Sequence, residues 1–157
     1  MRPMMKFLGK YYKASPLVGC ILGVGREEYL TSILAIPSIT RLYVKFDYDD
    51  DYDYSNIDVA KNRAARRLTK YKDKVVLVDC VQEIPEAVDF VYIDTTSDKS
   101  LSDATKLVKL GGIVGGGNYF PIGHPKNNKF CDSVRSYFNG EVIMALDWKD
   151  YDWWTIL

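Results

Sequence analysis

The chain has 157 residues, 47% of them hydrophobic, so it is long enough for one domain with a sizeable core and too short for two. Its 21 lysines and arginines balance its 21 aspartates and glutamates. The chain therefore has no net positive charge that would favour nucleic acid or an anionic membrane as a partner. Its three widely spaced cysteines contain no C-x-x-C pair, which excludes a disulfide framework and a cysteine zinc site.

The amino terminus has no apolar run of signal-peptide length, and no stretch is long enough to span a membrane. We therefore expect one domain over residues 1–157, in the reducing cytoplasm and with no membrane partner. Residues 1–15 carry apolar side chains at roughly helical spacing, which predicts a short helix at the edge of the domain. A segment that faces a partner is the alternative.

An apolar run over residues 17–22 leads into Gly23-x-Gly25, and apolar residues then recur at helical spacing. This pattern predicts the strand, glycine turn and helix of a nucleotide-type βαβ unit. The two glycines let the backbone approach a ligand closely. Glu27 and Glu28 follow in place of the third glycine of the dinucleotide fingerprint, and their charge would repel a pyrophosphate. The sequence thus disfavours NAD and FAD and favours a cofactor without phosphates.

A second predicted strand, over residues 41–46, ends at Asp47. The interval from Gly23 to Asp47 is close to the roughly 20 residues that separate the glycine turn from the ribose-binding acid in such units. Aspartates then alternate with tyrosines up to residue 54. An EF-hand loop starting at Asp49 would need glycine at Tyr54 and glutamate at residue 60, so we predict a solvated acidic loop and no metal site.

A capping box at Ser55 and Asp58 predicts the start of a third helix, whose outer faces carry seven lysines and arginines over residues 61–74. No aromatic platform or nucleic-acid-binding motif accompanies this basic patch. We therefore expect a solvated helix face, and nucleic acid is not an expected partner.

A buried strand over residues 75–78 ends at Asp79-Cys80, and a fourth strand, 89–94, ends at Asp94. Because the carboxyl ends of parallel strands share one edge, where ligands bind, we expect these acids and Asp47 to line one site. Aspartates also cap helices and turns, and that role is the alternative for each of them.

The rest of the chain predicts two more helices, a glycine-rich strand and a closing pair of strands. A capping box at Ser100 and Asp103 predicts a helix up to Leu110, and a fifth strand then runs into Gly115-Gly116-Gly117. The loop after it holds the sole histidine, His124. The predicted fold is an α/β, Rossmann-like doubly wound sheet, mostly parallel, with a C-terminal antiparallel hairpin.

This order of elements resembles class I S-adenosylmethionine-dependent methyltransferases, and in particular the small-molecule and sugar O-methyltransferase-like group. Chains of that group read E-x-G-x-x-x-G-E-Y at the first turn, V-D after strand two, D-F-V-x-I-D-G-x-H at strand four and K-P-G-G-x-x-x-G-x-D-Y at strand five. The corresponding stretches here are residues 21–29, 46–47, 89–97 and 109–119, and Trp153-Trp154 resembles the group's closing strand.

The resemblance implies S-adenosylmethionine as cofactor. Its amino-acid end would lie against Gly23 and Gly25, its ribose against Asp47, and its adenine against Asp79 and Cys80. The chain would then be a methyltransferase.

In the same family the acid after strand four faces the reaction centre, which implies a catalytic role for Asp94. The acceptor would be a small polar molecule, and a hydroxyl acceptor would also need a base. His124 is the candidate, since only histidine has an unperturbed pKa suited to this task near neutral pH. A turn or capping role is the alternative for this histidine.

Several ligand-edge positions of the family pattern are replaced here. Ile21 stands for the first acid, Glu27 for a glycine, residues 95–97 for the histidine region, and Gly117 or Asn118 for the strand-five aspartate. The framework positions are intact. A catalytically inactive methyltransferase-like binding or assembly module is therefore the alternative function. The short chain would draw any lid from residues 1–15, from the acidic loop or from another subunit, so homo-oligomerisation stays open.

Overall fold

The computed structural model describes residues 2–12, 15–23, 27–46, 57–147 and 150–157. Within these ranges, five helices and seven strands follow one another. They are α1 (Pro3–Tyr11), β1 (Leu17–Gly23), α2 (Glu27–Leu34), β2 (Ile39–Lys45), α3 (Ile57–Leu68), β3 (Val75–Val78), β4 (Val88–Asp94), α4 (Asp98–Leu107), β5 (Val108–Gly116), α5 (Lys129–Tyr137), β6 (Ile143–Asp147) and β7 (Asp150–Ile156).

The strands form one sheet in the order β3-β2-β1-β4-β5-β7-β6. Strands β1 to β5 are parallel, and β7 runs antiparallel to both of its neighbours, β5 and β6. This arrangement confirms the predicted doubly wound sheet with its C-terminal antiparallel pair. The strand order reverses between β1 and β4, and in open α/β sheets such a switch point is where ligands bind.

Both faces of the sheet are covered, because the side chains of its central strands alternate between two apolar layers. In β4, Phe90 and Tyr92 face the layer built with α1 and α2, whereas Val91 and Ile93 face the layer built with α4 and α5. All four side chains are at most 1% exposed. We call these two sides the α1–α2 face and the α4–α5 face.

The predicted short helix is present as α1, and its apolar side chains are part of the core. Met4, Met5 and Leu8 are at most 1% exposed, and the ring of Phe7 stacks on Trp154 of β7 with centroids 5.2 Å apart. Burying a side chain of this size stabilises a fold by about 1.5–3 kcal/mol. The helix is therefore a fixed layer over β6 and β7.

Two sequence predictions in the α4–β5 region are wrong. Helix α4 begins at Asp98, so Ser100 and Asp103 lie inside it, and Asp103 pairs with Lys99 at 2.5 Å instead of capping. The helix also ends at Leu107, because Val108 pairs with Val88 and starts β5. Sheet pairing thus overrides local helix propensity.

Strand β3 has the predicted bounds but is less buried than predicted. Val76 and Leu77 are 40% and 44% exposed, because β3 is the outermost strand beside β2.

Candidate functional site

The parallel strands end at one level, which brings three of the predicted residues to one edge. Gly23 pairs with Asp94 across β1 and β4, Lys45 pairs with Val78 across β2 and β3, and Asp79 follows directly. Neighbouring strands lie about 4.8 Å apart, so the edge from β3 to β4 spans roughly 14 Å. We call it the carboxyl edge.

Gly23 sits in the middle of this edge at the switch point. Its φ is +134°, and a Cβ added there would lie 2.5 Å from the carbonyl oxygen of Asp94. Only glycine fits this conformation and this close approach. Gly25 and Asp47, which the sequence also predicts as cofactor contacts, lie outside the described residues.

At the β3 end, the charged groups face solvent. Asp79 is exposed, and its backbone N–H donates to Glu83 Oε2 at 3.1 Å. The thiol of Cys80 donates to Glu83 Oε1 at 3.5 Å. Glu83 therefore holds the turn after β3, and the carboxylate of Asp79 stays open to solvent. Glu83 is not among the residues predicted from the sequence, although an acid three residues after Cys80 is a local signal for this turn.

At the β4–β5 end, a buried ion pair joins the two termini of the chain. Arg2 donates from Nε to Asp152 Oδ1 at 2.6 Å, and its Nη2 lies 2.5 Å from the same oxygen. The N–H of Met4 donates to Asp152 Oδ2 at 3.1 Å. The two charged side chains are 7% and 0% exposed, so the pair is sealed beneath α1.

Two tyrosines and a glycine surround the guanidinium of Arg2. Its carbon Cζ lies 4.2 Å from the ring centroid of Tyr29 and 5.9 Å from that of Tyr92. A Cβ on Gly117 would lie 2.6 Å from Arg2 Nη2 and 3.1 Å from the hydroxyl of Tyr92. The glycine found near the family's strand-five aspartate thus makes room for an arginine from the opposite end of the chain.

The hydroxyl of Tyr92 is buried and, within the part of the chain that the structure describes, has no hydrogen-bond partner. Burial, and then the charge of Asp152, raises the pKa of Tyr92 well above its usual value, so the hydroxyl stays protonated near neutral pH. Tyr92 and Asp94 are two residues apart on one strand, so their side chains share the α1–α2 face. The charge of Asp94 also contributes to the raised pKa.

His124 packs against aromatic side chains in the loop after β5. Its ring stacks on Phe120 with centroids 4.9 Å apart and meets the ring of Tyr151 at 5.4 Å. Its Nδ1 accepts the backbone N–H of Lys126 at 3.1 Å, as expected for a turn residue. Tyr151 is two residues from Trp153, which belongs to the α4–α5 layer, whereas Asp94 is on the α1–α2 face. The described contacts of His124 are therefore on the opposite face of the sheet from the side chain of Asp94.

Among the described residues, no group of three or more His, Cys, Asp or Glu side chains could hold a metal ion. The acidic stretch 47–53 and its calcium alternative lie outside those residues. No helix in the described ranges is both long and apolar enough to cross a membrane.

No family model matches the sequence, and no curated protein matches it. Solved structures do resemble its fold. The O-methyltransferase TomG from Streptomyces achromogenes, in complex with SAM, is 15% identical over 99% of this chain and 80% of its own, with a TM-score of 0.63. An O-methyltransferase family protein from Burkholderia thailandensis is 15% identical over 97% of this chain and 54% of its own, with a TM-score of 0.63.

A spermidine synthase from Thermotoga maritima is 13% identical over 90% of this chain and 53% of its own, with a TM-score of 0.62. The chain therefore spans little more than half the length of this enzyme and of the Burkholderia protein. At these identities the likeness concerns the architecture. The protein has the class I methyltransferase-like fold.

Proposed function

We propose that the protein binds S-adenosylmethionine, or its demethylated product, along the carboxyl edge and transfers the methyl group to a small polar acceptor. The observation that supports this proposal is that Gly23 and Asp94 end neighbouring strands at the switch point of the sheet. TomG, which shares this fold, is in complex with SAM.

The described residues suit such a cofactor. When bound, the cofactor supplies a methyl group activated on a positively charged sulfur. In this proposal the amino-acid end lies against the Gly23 backbone, the exposed carboxylate of Asp79 accepts hydrogen bonds at the adenine end, and the charge of Asp94, on the strand beside Gly23, favours the cationic sulfur. The strand ends would thus align the cofactor with the methyl acceptor. Such alignment is the main requirement for methyl transfer by nucleophilic displacement. Gly25, Asp47 and Cys80 complete the proposed set.

A stability measurement tests the proposal. Ligand at 100 times its dissociation constant should raise the free energy of unfolding by about 2.7 kcal/mol, a shift of several degrees in Tm. We expect this shift with S-adenosylmethionine and with S-adenosylhomocysteine. Asp47→Ala should abolish it and Asp53→Ala, in the same acidic stretch, should retain it. Absence of a shift with both compounds would contradict the proposal.

A second candidate is a catalytically inactive module of the same fold. It is favoured by the packing of the His124 ring on Phe120 and by the filling of the space beside Gly117 with Arg2. Incubation with S-adenosylmethionine and a panel of small hydroxyl compounds discriminates the two. A cofactor-induced shift in Tm without formation of S-adenosylhomocysteine would support the inactive module, whereas turnover that His124→Gln abolishes would support the enzyme with its predicted base.

A further inference from the structure

We propose that the outer face of helix α3 is a docking surface for the phosphate backbone of a nucleic-acid duplex. Four exposed cationic side chains recur on this face at i, i+3, i+4 and i+7, which is the spacing of one side of a helix. We call them the basic stripe: Arg63, Arg66, Arg67 and Lys70. The proposal concerns a binding surface that is independent of the cofactor, and it goes beyond the proposed function.

The fold turns the basic stripe away from the core. Leu68 of the same helix is 6% exposed and belongs to the α1–α2 layer. Because successive helical residues turn by about 100°, Arg66 points away from that layer, as does Val59, which is 58% exposed. A depression of about 470 Å³ lies on this outer face and is lined, among the described residues, by Val59, Asn62, Arg63, Arg66 and Arg67. The face is thus concave, solvent-exposed and rich in guanidinium donors.

The positive charge of this face is locally uncompensated. Between Asp58 and Asp73 the sequence has six lysines and arginines and no acid. Among the described residues, neither Arg63 nor Arg66 forms an ion pair. Like charges at i, i+3 and i, i+4 destabilise a helix. The basic stripe therefore does not stabilise the folded chain by itself, whereas a bound polyanion would relieve the repulsion.

The composition and length of the stripe favour phosphate groups. Three of its four cations are arginines, whose planar guanidinium matches two phosphate oxygens in a bidentate contact. Seven residues of helix extend about 10 Å, the length over which one strand of a duplex presents about three phosphates. The stripe has no aromatic side chain on which unpaired bases could stack, so a duplex fits it better than a single strand.

The overall neutrality of the chain does not oppose such binding. At physiological ionic strength the Debye length is about 8 Å, so acids on distant elements have little effect at the stripe. Contacts to the phosphate backbone also need no motif that reads bases. This local arrangement on the folded chain therefore replaces the expectation of a merely solvated helix face. Binding should be independent of sequence and strongly weakened by salt.

The test is the affinity of the full chain for a short labelled DNA duplex, measured by fluorescence anisotropy at increasing salt. For about three phosphate contacts, the logarithm of the affinity should fall with the logarithm of the salt concentration with a slope of about −3. Arg66→Gln should reduce the slope to about −2, and Arg63→Gln should do the same. The matched control is Arg41→Gln, which removes the same charge from a side chain that is 54% exposed and pairs with Glu86. It should keep the wild-type slope.

Thermal unfolding separates a binding role from a structural one. Arg66→Gln should unfold at the wild-type Tm or slightly above it, because the change removes a repulsion between like charges. If this variant unfolds at a lower temperature, Arg63→Gln decides the comparison. Equal slopes for the wild type and the stripe variants would overturn the proposal, as would an equal reduction in Arg41→Gln.

Competing polyanions define the remaining outcomes. A duplex should bind more tightly than a single strand of the same length, than poly-L-glutamate and than vesicles of anionic lipid. Tighter binding of any of these three would assign the stripe to another partner and overturn the proposal. The absence of duplex binding at low salt would also overturn it, and would be the result if the five aspartates of residues 47–53 already neutralised the stripe.

Discussion

The two ends of the carboxyl edge differ in the burial of their charged side chains. At the β3 end the carboxylate of Asp79 faces solvent, and a short local turn held by Glu83 supports it. At the β4–β5 end Arg2 and Asp152 are sealed beneath α1 and connect residues 150 positions apart. The open end can exchange water for a ligand without changing the fold. The sealed end holds its charges in place whether or not a ligand is present.

The two ends of the carboxyl edge thus have different tasks. The exposed end is available for ligand recognition, and the buried end stabilises the fold. An exposed acid gains little stability from its neighbours and is free to recognise a ligand. A buried charge must be paired, because leaving it unpaired is far more costly than a lost surface contact. Substitutions at the sealed end should therefore change folding first, and substitutions at the open end should change binding first.

The largest effect is expected from Asp152→Ala. It leaves the buried guanidinium of Arg2 and the N–H of Met4 without this acceptor, and we expect a loss of about 3–5 kcal/mol in the free energy of unfolding. Urea denaturation followed by circular dichroism would measure it.

The control for Asp152→Ala is a surface ion pair. Asp132 pairs with Arg135 on α5, but its side chain is 68% exposed. Asp132→Ala should cost no more than about 1 kcal/mol. Similar losses for the two variants would show that the terminal pair is no more important than a surface contact.

Gly117→Ala should give the next largest effect. The new methyl group would meet Arg2 Nη2 at 2.6 Å, where Asp152 prevents the guanidinium from moving away, and we expect a loss of about 1–3 kcal/mol in the free energy of unfolding.

Gly9→Ala in α1 is the counterpart, since no atom outside the helix backbone lies within 4 Å of its added Cβ. There the better helix propensity of alanine should raise stability by up to about 1 kcal/mol. Thermal unfolding of both variants checks the opposite signs.

The buried thiol of Cys20 should make the free energy of unfolding depend on pH. Burial raises the pKa of Cys20 in β1 from 9.0 to about 12, so above pH 9 the unfolded chain releases this proton before the folded one. The stability that Cys20 contributes is complete below about pH 9 and falls as pH rises towards 12, by up to about 1.4 kcal/mol per unit. In Cys20→Ala the decline of unfolding free energy between pH 9 and 11 should become shallower. Equal slopes in the wild type and in Cys20→Ala would exclude this role for Cys20.

The open end was easier to predict from sequence than the sealed one. Apolar runs that stop at Asp79 and Asp94 give the strands and their shared edge, because parallel strands end together. The bounds of helix α4 were predicted wrongly, since the pairing of β5 decides where the helix ends, and Leu110 is 96% exposed in β5.

The cluster of Arg2, Tyr92 and Asp152 had no local signal. An arginine next to the first methionine and an aspartate before two tryptophans fit many roles, and only the folded chain brings them together across 150 residues. Tyr92 fits the apolar alternation of β4, so its unpaired hydroxyl is visible only once the neighbours are placed. His124 is the reverse case: its chemistry suggested a base, whereas its ring packs on Phe120 and Tyr151.

Asp79→Ala should have the smallest effect on stability. The side chain is exposed, and the turn after β3 depends on the carboxylate of Glu83, so the free energy of unfolding should change by no more than about 0.5 kcal/mol. If Asp79 recognises the cofactor as proposed, the same change should weaken S-adenosylhomocysteine binding on the order of 10-fold, measured by calorimetry. Asp73→Ala, also exposed but before β3 at the opposite edge, should change neither quantity. If Asp79→Ala binds S-adenosylhomocysteine as the wild type does, Asp79 has no role in cofactor recognition. If this variant unfolds, the β3 end contributes to stability, and the difference between the open and the sealed end is not supported.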